Sequence, residues 1–392
     1  MPHTLASADA SKSWRKVRST HSEAANPYMA TIDTEPDAAI ARWREWIAAG
    51  AVVGPFQTPQ WLEAWYATLG SRPGRQPLFA SISRRDDGRI LLALPLLSYR
   101  AGGLRRIEFA DLGVTDYAAP LLAHGCSDDA EHARAMFDAL RRALPRADVF
   151  SIHKMPAVVG GHPNPLLRLK GARPSPMFGN LVTVDQDFDA WRYSREKTHR
   201  KELERSWRVF TRHPDAGFHL VTDPAEAMQV MEALEAYQRS AIVGKGWAYR
   251  LDEPDYRNFY LRLIADGLAS GDTILSALKV GDEVISALLG VRTGDYYAMI
   301  RIGNAGGEWR NCSPGRLVIE RTMAALHAQG VRHFDFTIGD YAYKRGFQPD
   351  RLPLHEIAVS LSWRGAMHIA STRLVRSLKR FVKNRWPLRK RM

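Results

Sequence analysis

Between residues 272 and 302 the chain reads DTILSALKVGDEVISALLGVRTGDYYAMIRI: three apolar runs separated by little more than Gly281-Asp282 and Gly294-Asp295. Turns this short join only antiparallel neighbours, because a parallel return needs a crossover of a dozen residues or more. The second half of the chain is therefore built on an antiparallel meander. The first half carries a smaller version. PLFASIS, the turn RRDDGR with Asp87-Gly88, and ILLALPLLSY read as a hairpin, and LRRIEFADLG reads as a further strand.

Helical periodicity surrounds both strand groups. PDAAIARWREWIAAG, expected as the first ordered element, repeats Ile40, Trp43 and Ile47 and stops at Gly50. In TPQWLEAWYATLG, Thr58 caps, Pro59 suits the first turn and Gly70 ends the helix. SDDAEHARAMFDALRRALP is a helix with Ser127 as its expected cap, and ADVFSIHKM returns to strand. VVGGHPNPLLRLKGARPSPMFG reads as a linker and NLVTV as a crossing strand. DFDAWRYSREKTHRKELERSWRVF reads as one long helix, and VRHFDFTI as a strand leading into GDYAYKRGF.

A chain of 392 residues exceeds one ordinary core, so two domains are expected. The net charge of +13 is concentrated in the acid-free C-terminal stretch RGAMHIASTRLVRSLKRFVKNRWPLRKRM and in the helix containing Arg195 to Arg208. It marks a basic tail and one basic helix rather than a DNA-binding domain. Two cysteines, Cys126 and Cys312, offer neither a disulfide framework nor a zinc motif, and no metal is expected. No signal-peptide core and no membrane-spanning run is apparent, which suits a cytoplasmic protein.

Common catalytic motifs fail on chemistry. VGKGWA lacks the hydroxyl after its lysine and the upstream glycine of a P-loop. LHEIAVS lacks the second histidine of a zinc protease. NCSPG has Asn311 in place of the elbow glycine, and Pro314 removes an oxyanion N–H. Ser313-Pro314-Gly315-Arg316-Leu317 at a helix start instead forms a small anion site, in which free first-turn N–H groups, the helix dipole and Arg316 face outward. An ordinary Ser-Pro helix start explains the same residues.

The order strand, strand, SPG helix, strand, running from ALLGVRTGDYYAMIRIGNAGGEWRNCSPGRLVIERTMAALHAQGVRHFDFTIGDYAYKRGF, resembles the acetyltransferase domain of CelD-like and FemAB-like proteins of the GNAT superfamily. HRKELERS is similar to the basic helix that opens such domains. VGKGWAY stands where they carry a Trp-containing loop, and FDFTIGDYAYKRGF is similar to their closing strand and Gly-Asp-x-x-Tyr-Lys turn. The likeness covers residues 199–347. An echo between IEFADLGVTDYAAP and HFDFTIGDYAYKRG suits the two GNAT-like halves of FemAB-like proteins. The fold so implied is mixed α/β, with two tandem GNAT-like domains, each a mostly antiparallel sheet flanked by helices. Residues 1–30 form a disordered polar tail, 31–185 a degenerate first domain, 186–363 the acyltransferase domain, and 364–392 a basic amphipathic helix and tail.

The resemblance implies transfer of an acyl group, acetyl foremost, from acyl-CoA to an amine such as an amino sugar or amino acid of an envelope or exopolysaccharide pathway. The pantetheine arm would lie between two splayed parallel strands beside YYAMIRI, with phosphates at Ser313, Gly315, Arg316 and Leu317. Only Gly315 remains of the usual glycine-rich loop, which leaves an acyl carrier protein or charged tRNA as other donors. Asp340 would accept the amine proton, Tyr341 or Tyr343 would protonate the leaving thiolate, and Lys344 would hold an anionic group of the substrate. Arg301, on a central strand, would need an anion or an acid as partner. Asp116 and Tyr117 would line the cleft from the first half. A turn cap, core tyrosines and solvated cations account for the same residues without function. A silent scaffold at the membrane surface is the reading from another class, and peripheral contact with the inner membrane through the C-terminal basic helix is open to the enzyme as well. In that helix Leu374, Leu378, Phe381, Val382 and Trp386 form a stripe expected to dock on the protein body, with a loose segment beyond Asn384.

Overall fold

The computed structural model describes residues 26–185 and 187–385, with the backbone alone over 376–385. The first half comprises β1 (Tyr28–Asp33), α1 (Pro36–Ala48), α2 (Pro59–Thr68), β2 (Arg75–Arg84), β3 (Ile90–Ala101), β4 (Leu104–Phe109), the short β5 (Leu121–Leu122), α3 (Ala130–Ala143) and β6 (Val149–Pro156). A small hairpin of β7 (Val158–Val159) and β8 (His162–Pro163) leads to β9 (Arg173–Thr183). The second half comprises α4 (Phe188–Ser194), α5 (Lys197–Phe210), β10 (Ala216–Val221), α6 (Pro224–Val243), α7 (Pro254–Gly267), β11 (Thr273–Val280), β12 (Glu283–Thr293), β13 (Tyr296–Asn304), α8 (Pro314–Ala328), β14 (His333–Asp335), α9 (Ala342–Arg345), β15 (Asp350–Ser360) and α10 (Trp363–Arg385).

One sheet joins every strand except the β7–β8 hairpin. Its order is β1-β2-β3-β4-β6-β15-β9-β14-β13-β12-β11-β10, with β5 hydrogen bonded to β3. From its centre the order reads the same way in both directions: β1 answers β10, β4 answers β13, β6 answers β14, and β15 answers β9. Within each half the neighbours are antiparallel except one pair, β4 with β6 and β13 with β14. A single helix, α3 or α8, makes each parallel crossover. The last strand of each half sits with the other. β9 follows β6 but pairs with β14 and β15, and β15 follows β14 but pairs with β6 and β9.

Both faces of the sheet are covered. On one face, α1, α2, α6 and α7 share a core running through both halves. There Trp61 meets Phe56 and Phe259 edge-on, each at 4.9 Å between ring centroids. Burial of such a ring contributes on the order of 2–3 kcal/mol, and edge-to-face geometry adds about 1 kcal/mol. The opposite face splits into one core under α3 and another under α8 and α5. This asymmetry makes the shared face the place where residues of the two halves meet.

Several expectations need correction. The first ordered element is the strand β1, paired through Tyr28↔Arg84 to β2, so the expected tail is ordered by residue 28; residues 1–25 lie outside the described residues. The α3 cap is Asp129 rather than Ser127, whose hydroxyl instead accepts from the Asp129 N–H at 3.1 Å. The long helix at 187–210 is two helices, broken where Arg195 and Glu196 turn extended. The Gly/Pro-rich linker ends in β9, eleven residues long, in spite of Pro174 and Pro176. The VRHFDFTI strand is only three residues long because Thr337 adopts a left-handed φ of +57°. The echo does not mark equivalent positions, since IEF ends β4 whereas HFD is β14, the counterpart of β6. The C-terminal stripe is not docked at Leu374, which is exposed, and α10 packs through Gly365, Ile369 and Thr372 instead. The side chains of Leu378, Phe381 and Val382, together with Trp386 and most of the segment beyond Asn384, lie outside the described residues.

Candidate functional site

β13 and β14 remain together for three pairs only: Tyr296↔His333, Tyr297↔Phe334 and Ala298↔Asp335. Beyond them β13 follows β12 as far as Asn304, and β14 stops. Side chains from several elements fix the backbone on both sides of the parting. The Thr337 hydroxyl donates to the Met299 carbonyl at 3.0 Å. Asn180 on β9 donates to the carbonyls of Thr337 at 2.6 Å and Gly339 at 3.1 Å. Gln238 on α6 donates to the Ile302 carbonyl at 3.0 Å. Left-handed backbone at a residue other than glycine costs on the order of 1–3 kcal/mol, so it persists only where its surroundings fix it. Ser313, at φ +48°, is a second such residue and starts α8.

The α8 start abuts the parted end of β13: a Cβ on Gly315 would stand 3.0 Å from Asn304 Oδ1 and 3.9 Å from Ile302 Cδ1. Among the described residues no side chain caps this helix, and no acid occupies its first turn. Its free donors are fewer than expected. Pro314 has no N–H, and the N–H groups of Arg316 and Leu317 both turn onto the Ser313 carbonyl, at 3.0 and 3.2 Å. Leu317 is a core residue. The Gly315 N–H, the Ser313 hydroxyl and the Arg316 guanidinium remain. Arg316 donates to Ser313 Oγ at 3.0 Å and to Glu202 at 2.7 Å.

On the shared face the halves meet at a buried carboxylate that was not foreseen from the sequence. Asp335 is fully enclosed. It accepts from the Tyr117 hydroxyl at 2.9 Å, from the Tyr296 hydroxyl, and from the Thr337 N–H at 2.6 Å. Burial raises its carboxyl above the usual range, and these donors oppose the rise. Phe334 and Phe336 point to the α8 core, so alternation sends Asp335 to the other face. An acid on a central strand covered on both faces was the available signal.

Asp116 belongs to the same cluster. Burial pushes its carboxyl up to about 6, with Lys154 and a hydrogen bond to Thr337 pulling the other way and Asp111 and Asp335 adding to the rise. Lys154, also buried and also left-handed, binds Asp111 at 2.8 Å and the Thr115 carbonyl. Gly179 permits the meeting of the halves, because a Cβ there would fall on the Tyr117 hydroxyl.

The remaining expected residues fall into two groups. Lys344 is buried, and its ammonium donates to the carbonyls of Ile338 at 2.8 Å, Gly339 at 3.3 Å and Thr337 at 3.4 Å. It anchors the turn rather than presenting a free charge for an anionic group. Burial pulls it down to about 8 against the attraction of Asp116, Asp335 and Asp340. Arg301 is also enclosed. It donates to Gln238 Oε1 at 2.6 and 2.9 Å and to the Tyr249 hydroxyl at 2.8 Å, lies 4.6 Å from the Tyr260 ring centre, and stands 3.9 Å from Glu235. Tyr249 comes from the VGKGWAY loop. Asp340 and Tyr341 form the outer group: Asp340 is exposed and paired with Arg345 at 3.1 Å, and Tyr341 stacks on Tyr343 with centroids 5.8 Å apart. Tyr343 is partly buried, which holds its phenol well above the usual range.

Residues 197–345 match the acetyltransferase (GNAT) domain family. The structure of FemX is similar over 84% of this chain and 96% of its own, with 14% identity and a TM-score of 0.56. The C-terminal domain of a putative lysylphosphatidylglycerol synthetase from Agrobacterium fabrum is similar over 87% of this chain and 97% of its own, with 14% identity and a TM-score of 0.50. No curated protein matches in sequence. Residues 197–345 thus match a GNAT domain, and the chain as a whole has a fold like that of FemX.

Proposed function

We propose that the protein is an N-acyltransferase whose donor, acyl-CoA, binds along the parting of β13 and β14 with its phosphates at Ser313, Gly315 and Arg316, and whose amine acceptor enters between the halves. The observation that carries this reading is the start of α8, with no side-chain cap among the described residues, no acid in its first turn and Arg316 shared between Ser313 and Glu202, at the open end of a parted parallel pair. A helix start with a free N–H and a guanidinium favours an anion. Past Ala298 the edge of β13 that faced β14 has no strand partner among the described residues, which suits the amide-rich pantetheine arm. The donor supplies an acyl carbon activated as a thioester.

Asp116 is the proton acceptor in this reading. It is only partly exposed, faces the meeting of the halves, and with its carboxyl near 6 is ionised at neutral pH yet basic enough to take a proton. Asp340, which the sequence suggested, sits on the outer rim with its charge matched by Arg345. The amine nitrogen forms the new C–N bond, its proton passes to Asp116, the C–S bond breaks, and Tyr343 returns a proton to the thiolate. Asp335, with Tyr117 and Tyr296, holds the wall of the site in place. Such a donor puts the reaction in the cytoplasm.

Release of CoA thiol from acetyl-CoA, measured across a panel of amino sugars and amino acids, tests the proposal. Acceptor-dependent release supports it, and none with any amine in the presence of bound acetyl-CoA sinks it. A second reading, aminoacyl transfer from charged tRNA, is favoured by the exposed Lys197, Lys201, Arg205 and Arg208 on α5, which flanks the α8 start through Glu202–Arg316. It predicts tRNA binding that falls steeply with salt.

A further inference from the structure

The helix α10 presents an apolar stripe to solvent. At 100° per residue, Trp363, Met367, Ala370 and Leu374 fall within an arc of about 60°. Trp363 is 72% exposed, Met367 64% and Leu374 62%, and Ala370 is exposed as well. The face that packs on the body, Gly365, Ile369 and Thr372, lies on the opposite side. In sequence, Leu378 and Phe381 continue the three- and four-residue spacing. Among the described residues nothing covers Trp363, Met367 and Leu374, and a contiguous apolar row of this kind marks an interaction surface.

The surroundings are cationic. Arg364 and Arg373 stand on either flank of the stripe by the same angular count. Beside the helix start, a groove of about 600 Å³ is lined by Arg100, Arg105, Arg141, Arg146 and Arg364. Among the described residues Asp148 is the one acid lining it, and its oxygens already accept from the Arg105 N–H at 2.9 Å and the Ser362 hydroxyl at 2.6 Å. Arginines alone would suit phosphate of any origin. The apolar stripe beside them selects a surface that offers anionic headgroups and hydrocarbon together.

We propose that α10 and this arginine groove dock the protein on an anionic lipid surface, with the Trp363–Met367–Leu374 row entering the acyl boundary and the arginines meeting headgroup phosphates. The attachment is peripheral: among the described residues no helix is long and apolar enough to cross a membrane. None of these residues belongs to the proposed transfer site, so docking and catalysis separate experimentally.

Co-sedimentation with vesicles of equimolar phosphatidylglycerol and phosphatidylcholine, against phosphatidylcholine alone, tests the inference. The full chain should bind the anionic vesicles and ignore the neutral ones. The triple change Trp363→Ser, Met367→Ser and Leu374→Ser, at exposed positions that leave the fold intact, should cut partitioning by at least about tenfold. Arg100→Glu with Arg141→Glu and Arg146→Glu should cut it by about two orders of magnitude. Absence of binding by the unmodified chain overturns the proposal, as does binding that survives the serine changes. Sedimentation equilibrium completes the test: a dimer that the serine changes dissolve, in a chain that ignores vesicles, would assign the stripe to a second copy.

Discussion

The two halves use one scaffold and finish it in opposite ways. Each has a strand, two helices, a three-stranded meander, a crossover helix and a parallel strand, and each parallel pair is three residues long. The crossover helices differ where it matters. At α3 the Asp129 carboxylate accepts from the N–H groups of Glu131 at 2.7 Å and His132 at 3.3 Å, and these hold its carboxyl below the usual range. Glu131 adds a second negative charge. At α8 there is no cap and no acid, and an arginine stands in the first turn. A phosphate would be repelled from the first start and drawn to the second. The parting of β4 and β6 differs as well, since Lys154 at its mouth is tied to Asp111 and Thr115. The difference teaches how a duplicated fold can divide labour: in the proposed reading the second half offers the donor site, while the first sends Asp116 and Tyr117 into the shared face.

The largest expected effect breaks that division at Asp116. Asp116→Asn should keep the fold and donor affinity while lowering turnover by about a hundredfold or more, whereas Asp340→Asn should stay within a few-fold of the unmodified enzyme. Steady-state kinetics on both variants decides between the two carboxylates. If Asp340→Asn carries the loss, the rim turn is the catalytic element and the first half is only a support.

The pH profile sharpens the same point. Transfer needs the Asp116 carboxylate, so kcat/KM should fall as pH drops through about 6. Unfolding at Asp116 does not mimic this limb. A carboxyl raised in the fold binds its proton more tightly than in the unfolded chain, so its contribution to stability grows as pH falls from about 6 toward 4. A limb that tracks loss of structure, or one unchanged in Asp116→Asn, would argue against the assignment.

Smaller effects are expected at the seam and at the closed helix start. Gly179→Ala should push the Tyr117 hydroxyl from Asp335 and destabilise by about 1–3 kcal/mol, read by denaturant unfolding, with a fall in turnover. Unaltered unfolding would mean that β9 and the 110–120 loop have room to separate. Asp129→Ala should lower Tm by a few degrees through loss of the α3 cap, with no change in turnover or in CoA affinity. Altered CoA affinity there would place donor phosphates in the first half.

Much of this was legible in the sequence. The Gly-Asp turns dictated the meander, Thr58-Pro59 and Gly70 bounded α2, and SPG and GDYAYKRGF pointed to the two ends of the α8 crossover. What was missed depends on long-range pairing. YMATID becomes a strand because β2 offers it an edge, and β9 forms across a proline-rich stretch because β14 and β15 need a partner. Local alternation carries no record of such partners. Asp340 drew attention because it sits among aromatics, but two carboxylates that burial raises, Asp116 and Asp335, meet only when the halves close on one another.

Calorimetric titration of acetyl-CoA into the unmodified chain and into Gly315→Asp tests the central claim most directly, since Gly315→Asp places a carboxylate at the α8 start comparable to the one the α3 start already holds. The account predicts one site per chain and a loss of affinity of at least about tenfold in the variant, from repulsion at the helix start. Two sites per chain, or equal affinity in the two proteins, would contradict it.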